Sequence, residues 1–261
     1  MARKELAADP RIGNDNVGLM VTRGQGIHLG HVALHAQMLA DNGRNIMGFG
    51  SSEKSGMFGN PFTPDQKRRA LQGLWGGAFR IIELQDIGAS DRLTDWADYV
   101  LDRIERNQLP APTDLYAGSK VEARWYEHHF ASLKGAPSFR RGAFDVWENP
   151  RTGRRIHILD REATPDLSAS QVRTLIEQRD PAWKSLVPAK LWNFYEWEYP
   201  PHLRTAVERI FDEEDGWFLP RDGQYPVGTK LIGPDGNTLI LRDDGKWRPR
   251  AEGENAKSMG D

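Results

Sequence analysis

The apolar run from Val17 to Thr22 leads directly into a glycine-rich turn, Arg23-Gly24-Gln25-Gly26, and then into a helical pattern. A short apolar run bounded by turn residues reads as a buried strand. Val32, Leu34, Met38 and Leu39 recur at roughly helical spacing, Asn42-Gly43 stops the helix, and a second apolar run follows from Ile46 to Phe49. This strand, helix, strand unit sets a rhythm that the chain repeats. Thr63-Pro64-Asp65-Gln66 is a capping box with proline at the first helical position, and it opens a helix to about Trp75. Phe79 to Leu84 reads as the next strand, 92–106 as a helix, Asp114 to Ala117 as a strand and 120–133 as a further helix. Strands alternating with helices predict an α/β chain, with a parallel sheet covered on both faces.

From Phe144 to Leu159 the pattern changes to a hairpin that turns at Asn149-Pro150-Arg151-Thr152-Gly153. Ser168 and Gln171 then make a second capping box, so a helix starts near Ala169. Beyond Pro200 a helix is expected to about Asp212. Turn signals at Arg221-Asp222-Gly223, Pro234-Asp235-Gly236 and Asp243-Asp244-Gly245 follow, which predict small β-hairpins, and the last dozen residues have the composition of a disordered end. The expected organisation is an arm over 1–16, a main domain over 17–200, and a C-terminal helix and β-rich appendage over 201–261.

Composition narrows the chemistry. The 261 residues include no cysteine, which removes disulfides, thiolate metal sites and cysteine nucleophiles together. A net charge of −2 gives no broad basic field for a nucleic-acid backbone. No apolar stretch approaches the roughly twenty residues of a membrane span. A soluble, cytoplasmic protein is expected, with neither nucleic acid nor membrane as partner.

Two short strings carry the functional signal. The turn after the first strand ends in His28-Leu29-Gly30-His31, which places two imidazoles and a glycine where helix amides point outward and attract anions. Either histidine alone reads equally well as a cap or a packed side chain; two flanking a glycine point to phosphate. The second string is Leu167-Ser168-Ala169-Ser170-Gln171-Val172-Arg173, with two hydroxyls at a helix start and a guanidinium one turn on. Dipole, donors and a fixed cation are what a polyphosphate needs. By itself it also reads as an ordinary capped helix with a solvent-facing arginine.

Together the strings resemble the nucleotidylyltransferase superfamily, with its HxGH near the N-terminus and ISTxxR-like segment near the end of the domain. The segment Thr22-Arg23-Gly24-Gln25-Gly26-Ile27-His28-Leu29-Gly30-His31 is similar to the GRFQPFHxGH-like opening of archaeal-type nicotinamide-nucleotide adenylyltransferases. Thr22, Gly24 and Gly26 depart from it, and a more mobile loop is expected there. Three further blocks resemble that branch: Gly50-Ser51-Ser52-Glu53 running to Asn60-Pro61-Phe62-Thr63, Asp86-Ile87 followed by Trp96, and Ala182-Trp183 to Val187-Pro188. The resemblance covers about residues 17 to 198.

It implies a Rossmann-like fold and adenylyl transfer from ATP to nicotinamide mononucleotide, NMN, with NAD and pyrophosphate as products. It also implies roles: His28, His31 and Arg173 as catalytic residues, and Arg23, Gln25, Gly30, Ser168 and Ser170 as ATP or phosphate contacts. Asn60, Asp86, Ile87 and Trp96 would meet the acceptor. Magnesium would arrive with ATP, without a protein metal ligand. The rival readings are another adenylyl- or cytidylyltransferase, for instance one using pantetheine phosphate, and a non-catalytic nucleotide-binding module. A homo-oligomer is expected, with the tail as an oligomer contact, a lid or a docking module.

Overall fold

The computed structural model describes residues 15–57, 59–87, 93–160, 167–205, 211–212, 216–217, 230–232, 238–242 and 247–249. Strand β1 (Val17–Thr22) is followed by α1 (Leu29–Asp41), β2 (Arg44–Phe49), α2 (Pro64–Trp75), β3 (Arg80–Glu83) and α3 (Leu93–Arg106). Then come β4 (Asp114–Ala117), α4 (Lys120–Ala123), β5 (Phe139–Arg141), β6 (Phe144–Glu148) and β7 (Arg155–Leu159). Helices α5 (Ala169–Glu177), α6 (Trp183–Leu186), α7 (Trp192–Glu198) and α8 (Pro201–Thr205) complete the main body.

The sheet runs in the order β3-β2-β1-β4-β7-β6-β5. The first five of these are parallel, whereas β6 and β5 are antiparallel additions at one edge, so the sheet is mixed rather than wholly parallel. The edge follows from local chemistry: the hairpin turn at 149–153 closes with the Gly153 amide donating to the Asn149 carbonyl, and Gly153 takes a positive φ of 70°.

Strand side chains alternate between two cores. Met20, Met47 and Tyr116 face one cluster with Leu34 and Met38 of α1, while Leu19, Ile46, Leu115 and Ile156 face the other with Val100 and Ile104 of α3. Both faces are therefore covered, as the sequence rhythm requires.

Two expected helices are corrected. The helix expected over 120–133 ends at Ala123, and the backbone tightens into a 3-10 turn over Arg124–Tyr126. Amide bonds from Glu127 to Arg124 and from His129 to Tyr126 span three residues, and the Glu127 side chain accepts the Leu133 amide, which draws the chain out of a helical path. Burial of Tyr126, Phe130 and Ala131 in the second core outweighs helix propensity here. The helix expected to run to Asp212 is described only as far as Thr205; Phe211–Asp212 instead forms strand β8, paired with β9 (Gly216–Trp217). Beyond it, β10 (Lys230–Ile232), β11 (Thr238–Leu241) and β12 (Trp247–Pro249) make an antiparallel sheet, in line with the expected hairpins. The arm over 1–14, the three tail turns and the final residues lie outside the described residues. Among the described residues, no helix is long and apolar enough to cross a membrane.

At the N-terminal edge of the sheet, Asp114 is fully buried. Arg155 Nε lies 2.7 Å from its carboxylate, His157 Nε2 lies 2.8 Å away, and the Thr113 hydroxyl donates at 2.7 Å. Burial alone would raise this carboxyl, but His157, Arg155 and Thr113 together hold it below its ordinary value. Asp114→Ala would strand the Arg155 charge in the sheet. We expect a loss of about 3–5 kcal/mol, read from urea unfolding; a loss below about 1 kcal/mol would show that the pair does not support the sheet.

Candidate active site

Strand order reverses between β1 and β4, so the loops after β1, β2, β3 and β4 gather along the C-terminal edge of the sheet around one crevice. The loop after β1 comes closest to the reversal. Gly24 has φ of 63°, and a Cβ there would lie 2.6 Å from the Phe49 ring, so only glycine fits. Gly26, at φ of 132°, brings the backbone against Ala169 at the start of α5.

The loop is tied down at several points. The Gln25 side chain accepts the Phe62 amide at 2.9 Å and donates to the Phe62 carbonyl at 3.2 Å. Lys67 Nζ donates to the carbonyls of Arg23 and Gly50, both at 3.2 Å. The Tyr195 hydroxyl donates to the Ile27 carbonyl at 3.0 Å, and Arg173 Nη1 donates to the Gln25 carbonyl at 3.0 Å. Helices α2, α5 and α7 thus hold three carbonyls of the loop, and Phe62 holds the Gln25 side chain. Both ends of the Gln25 amide engage the Phe62 backbone, so this side chain fastens the loop.

His28 and His31 cap α1 reciprocally. His28 Nδ1 accepts the Gly30 amide at 3.1 Å, and His31 Nδ1 accepts the His28 amide at 3.5 Å, with the two rings 4.0 Å apart. Backbone amides only donate, so each neutral ring carries its proton on Nε2. A Cβ at Gly30 would sit 3.0 Å from the His28 ring, which explains the glycine between them. Removal from water pushes His31 down to about 4, partly offset by a hydrogen bond with the Gly26 backbone. His35 continues the row one turn on: it accepts from the Trp75 indole at 3.1 Å, and burial, with His31 adding to it, pushes it down to about 3.

Helix α5 brings the second string to the same place. Ser168 caps it by accepting the Gln171 amide at 3.1 Å, and Arg173 Nη2 donates to Ser170 Oγ at 3.0 Å. Burial pulls the Arg173 guanidinium below its ordinary value, yet it remains a cation at neutral pH. Arg23 is exposed, and its charge acts on both Arg173 and Asp86, so it stands between the two halves of the site. Arg173 and Gln25, 148 residues apart, thereby join the second string to the loop that leads into the first.

The residues expected at the acceptor divide. Asp86 accepts from Ser51 at 2.9 Å and pairs with Lys54; although burial would raise it, those bonds hold its carboxyl below the ordinary range. Ser51 adopts φ of 49° to make this contact. Trp96 lies near Gly50, where a Cβ would be 4.0 Å from its indole, and meets Trp125 edge to face at 6.1 Å. Ile87 is exposed in the loop after β3. Asn60 is buried, its amide oxygen has no hydrogen-bond partner, and its backbone pairs with Met57.

Sequence reasoning missed Lys67, Tyr195, Ser51 and Trp125. Lys67 shares the buried face of α2 with Ala70 and Leu71, and a lysine at that period was the available signal. Burial pushes its ammonium down to about 8.

Fold and site together have the form of a Rossmann-like nucleotidyltransferase. No family model matches the chain. It is similar to the nicotinamide-nucleotide adenylyltransferase of Thermococcus kodakarensis, at 26% identity over 68% of this chain and 80% of the relative. It is also similar to that of Thermococcus sibiricus, at 24% identity over 74% of this chain and 87% of the relative. Among solved structures, the bifunctional NMN adenylyltransferase/ADP ribose pyrophosphatase from Francisella tularensis shares the fold, with TM-score 0.53 and 15% identity over 74% of this chain and 53% of that one. The same protein complexed with AMP and a manganese ion gives TM-score 0.51 and 13% identity, over 74% of this chain and 52% of that one. The chain therefore spans about half the length of those bifunctional proteins.

The row of histidines makes stability depend on pH. His31 and His35 titrate near 6.5 when unfolded but near 4 and 3 when folded, so their contribution is present above pH 6.5 and declines as pH falls toward 4. Glu177, raised by burial to about 7, acts in the opposite sense over part of that range. The comparison must therefore be with a variant. His35→Gln keeps an acceptor for Trp75 and cannot titrate, so urea midpoints should fall less steeply between pH 6.5 and 4 than in the parent. An unchanged slope would rule out His35 as a source.

Proposed function

We propose that the chain transfers the adenylyl group of ATP to NMN, giving NAD and pyrophosphate. The observation that carries this reading is the Arg173 guanidinium, which joins Ser170 on α5 to the Gln25 carbonyl in the loop that ends at His28. In this reading cation, hydroxyls and imidazole donors face one crevice, and the Thermococcus relatives bear the corresponding name.

The acceptor's phosphate oxygen attacks the α-phosphorus of ATP, and the bond to the α,β-bridging oxygen breaks as pyrophosphate leaves. The attacking phosphate is already ionised at neutral pH, so the protein need supply no base, only position and charge compensation. In this reading His28 and His31 act as donors through Nε2, His31 exchanging its bond to the Gly26 backbone for a phosphate oxygen. Ser168, Ser170 and Arg173 receive the β- and γ-phosphates, and Arg23 adds a second cation. Gly30 allows the nucleotide close to the start of α1. Asp86, Ile87, Asn60 and Trp96 shape the acceptor pocket, with the Trp96 ring offered to the nicotinamide.

The site's donors are imidazoles, hydroxyls and guanidinium groups, which suit phosphate oxygens better than a hard cation. Magnesium is therefore proposed to come with ATP, held by phosphate oxygens and water, and to neutralise charge on the leaving group. The chemistry is assigned to 17–200, with 201–261 as an appendage in a cytoplasmic homo-oligomer.

An assay panel of NMN, nicotinic acid mononucleotide, pantetheine phosphate and choline phosphate with ATP and magnesium tests the reading. Turnover is expected with NMN, and turnover only with a non-pyridine acceptor would overturn it. His31→Ala and Arg173→Ala should each lower kcat by about 10²–10³ in folded protein. Loss of the cap should cost His31→Ala about 1 kcal/mol of stability.

A further inference from the structure

The turn that follows β2 brings two side chains onto Asp86. The Lys54 amide donates to the Ser51 carbonyl at 3.1 Å, which closes the turn, and the Ser52 amide donates to the Leu84 carbonyl at 3.0 Å, which fixes it just past β3. Ser51 takes φ of 49°, a conformation that crowds its Cβ, so a serine here needs a reason other than the turn. Its side chain supplies one. The Ser51 hydroxyl donates to one Asp86 oxygen at 2.9 Å, and Lys54 Nζ donates to the other at 2.5 Å.

These two partners of Asp86 differ in freedom. Ser51 is buried, whereas the Lys54 side chain is 45% exposed. An exposed ion pair contributes little to stability, so the ammonium can change partner at small cost while the hydroxyl stays in place. The bond to Asp86 raises the Lys54 ammonium above its ordinary value, and it is a cation at neutral pH. Asp86 is among the residues assigned to the acceptor pocket, so this cation stands beside that pocket.

The pair presents an acceptor and a donor side by side, which is the complement of a carboxamide. A carboxylate meets a different balance. Asp86 repels it, as does Glu53, whose carboxylate accepts the Asp86 amide and lies 3.9 Å from Lys54 Nζ. Lys54 is the member of this cluster that attracts it. Removing the ammonium would leave two negative charges facing the acid and an acceptor still available to the amide.

We propose that Lys54 is the residue that lets the site use a mononucleotide carrying a carboxylate on its pyridine ring, alongside the carboxamide of NMN. The inference rests on adenylyl transfer to a pyridine mononucleotide, and only the ring substituent differs from the step given above.

Steady-state assays of the full chain with ATP and magnesium test it, each protein being given NMN and nicotinic acid mononucleotide in turn. The readout is the ratio of the acid's kcat/KM to that of NMN, from which any shared loss of folded enzyme cancels. The parent should use both acceptors. Lys54→Met should lower the ratio about tenfold or more, and Lys54→Arg, which keeps the charge, should retain most of it. No use of the acid by the parent, or a ratio that Lys54→Met leaves unchanged, would overturn the inference while transfer to NMN stands. Turnover of neither mononucleotide would overturn the adenylyl-transfer reading, and this inference with it.

Discussion

The two hydrogen bonds between the Gln25 side chain and the backbone of Phe62 decide where the loop after β1 can lie. That loop leaves the sheet where strand order reverses, so its path sets the floor of the crevice. Lys67 ties the same loop to the one after β2, by way of the Arg23 and Gly50 carbonyls. Arg173 and Tyr195 reach it from elements far along the chain. A buried lysine whose hydrogen bonds go to carbonyls is costly, and its lowered proton affinity reports that cost. Its retention is understandable if two loops must be kept in register.

The histidines show how side chains proposed for the site also close a helix. His28 Nδ1 and His31 Nδ1 close the start of α1, which fixes the remaining ring protons on Nε2. Burial keeps His31 neutral across the physiological range, and its hydrogen bond with the Gly26 backbone ties the ring to the loop after β1. The choice posed by the sequence, cap or phosphate ligand, is therefore not exclusive. A side chain already oriented by capping loses little freedom when it binds.

Where a fold feature rests on neighbours in sequence, it was legible. The capping box at Thr63 and Gln66, the strand Asp114–Ala117 and the hairpin turning at Asn149 follow from local rules, and they stand where those rules put them. The segment 120–133 was misread because aromatic burial against the α3 side of the sheet overrides its helical period. Both short strings were visible one by one. Their contact was not, since nothing in the sequence says that Arg173 reaches the Gln25 carbonyl. Lys67 was hidden by its type: a lysine reads as solvated unless its burial is known. Gln25 was recognised as part of the opening motif, but whether an amide faces ligand or backbone is settled only in three dimensions.

The central claim is that the loop after β1 binds nucleotide because it is held from several sides. Lys67→Met tests this most directly, since methionine keeps an apolar stem beside Gly24 and removes the ammonium that joins two loops. The measurement is the Kd for ATP by calorimetry, on protein shown by circular dichroism to be folded. The account predicts a Kd raised tenfold or more. An ATP affinity equal to that of the parent would mean that the loop keeps its shape without Lys67, and that the cradle does not depend on this tie.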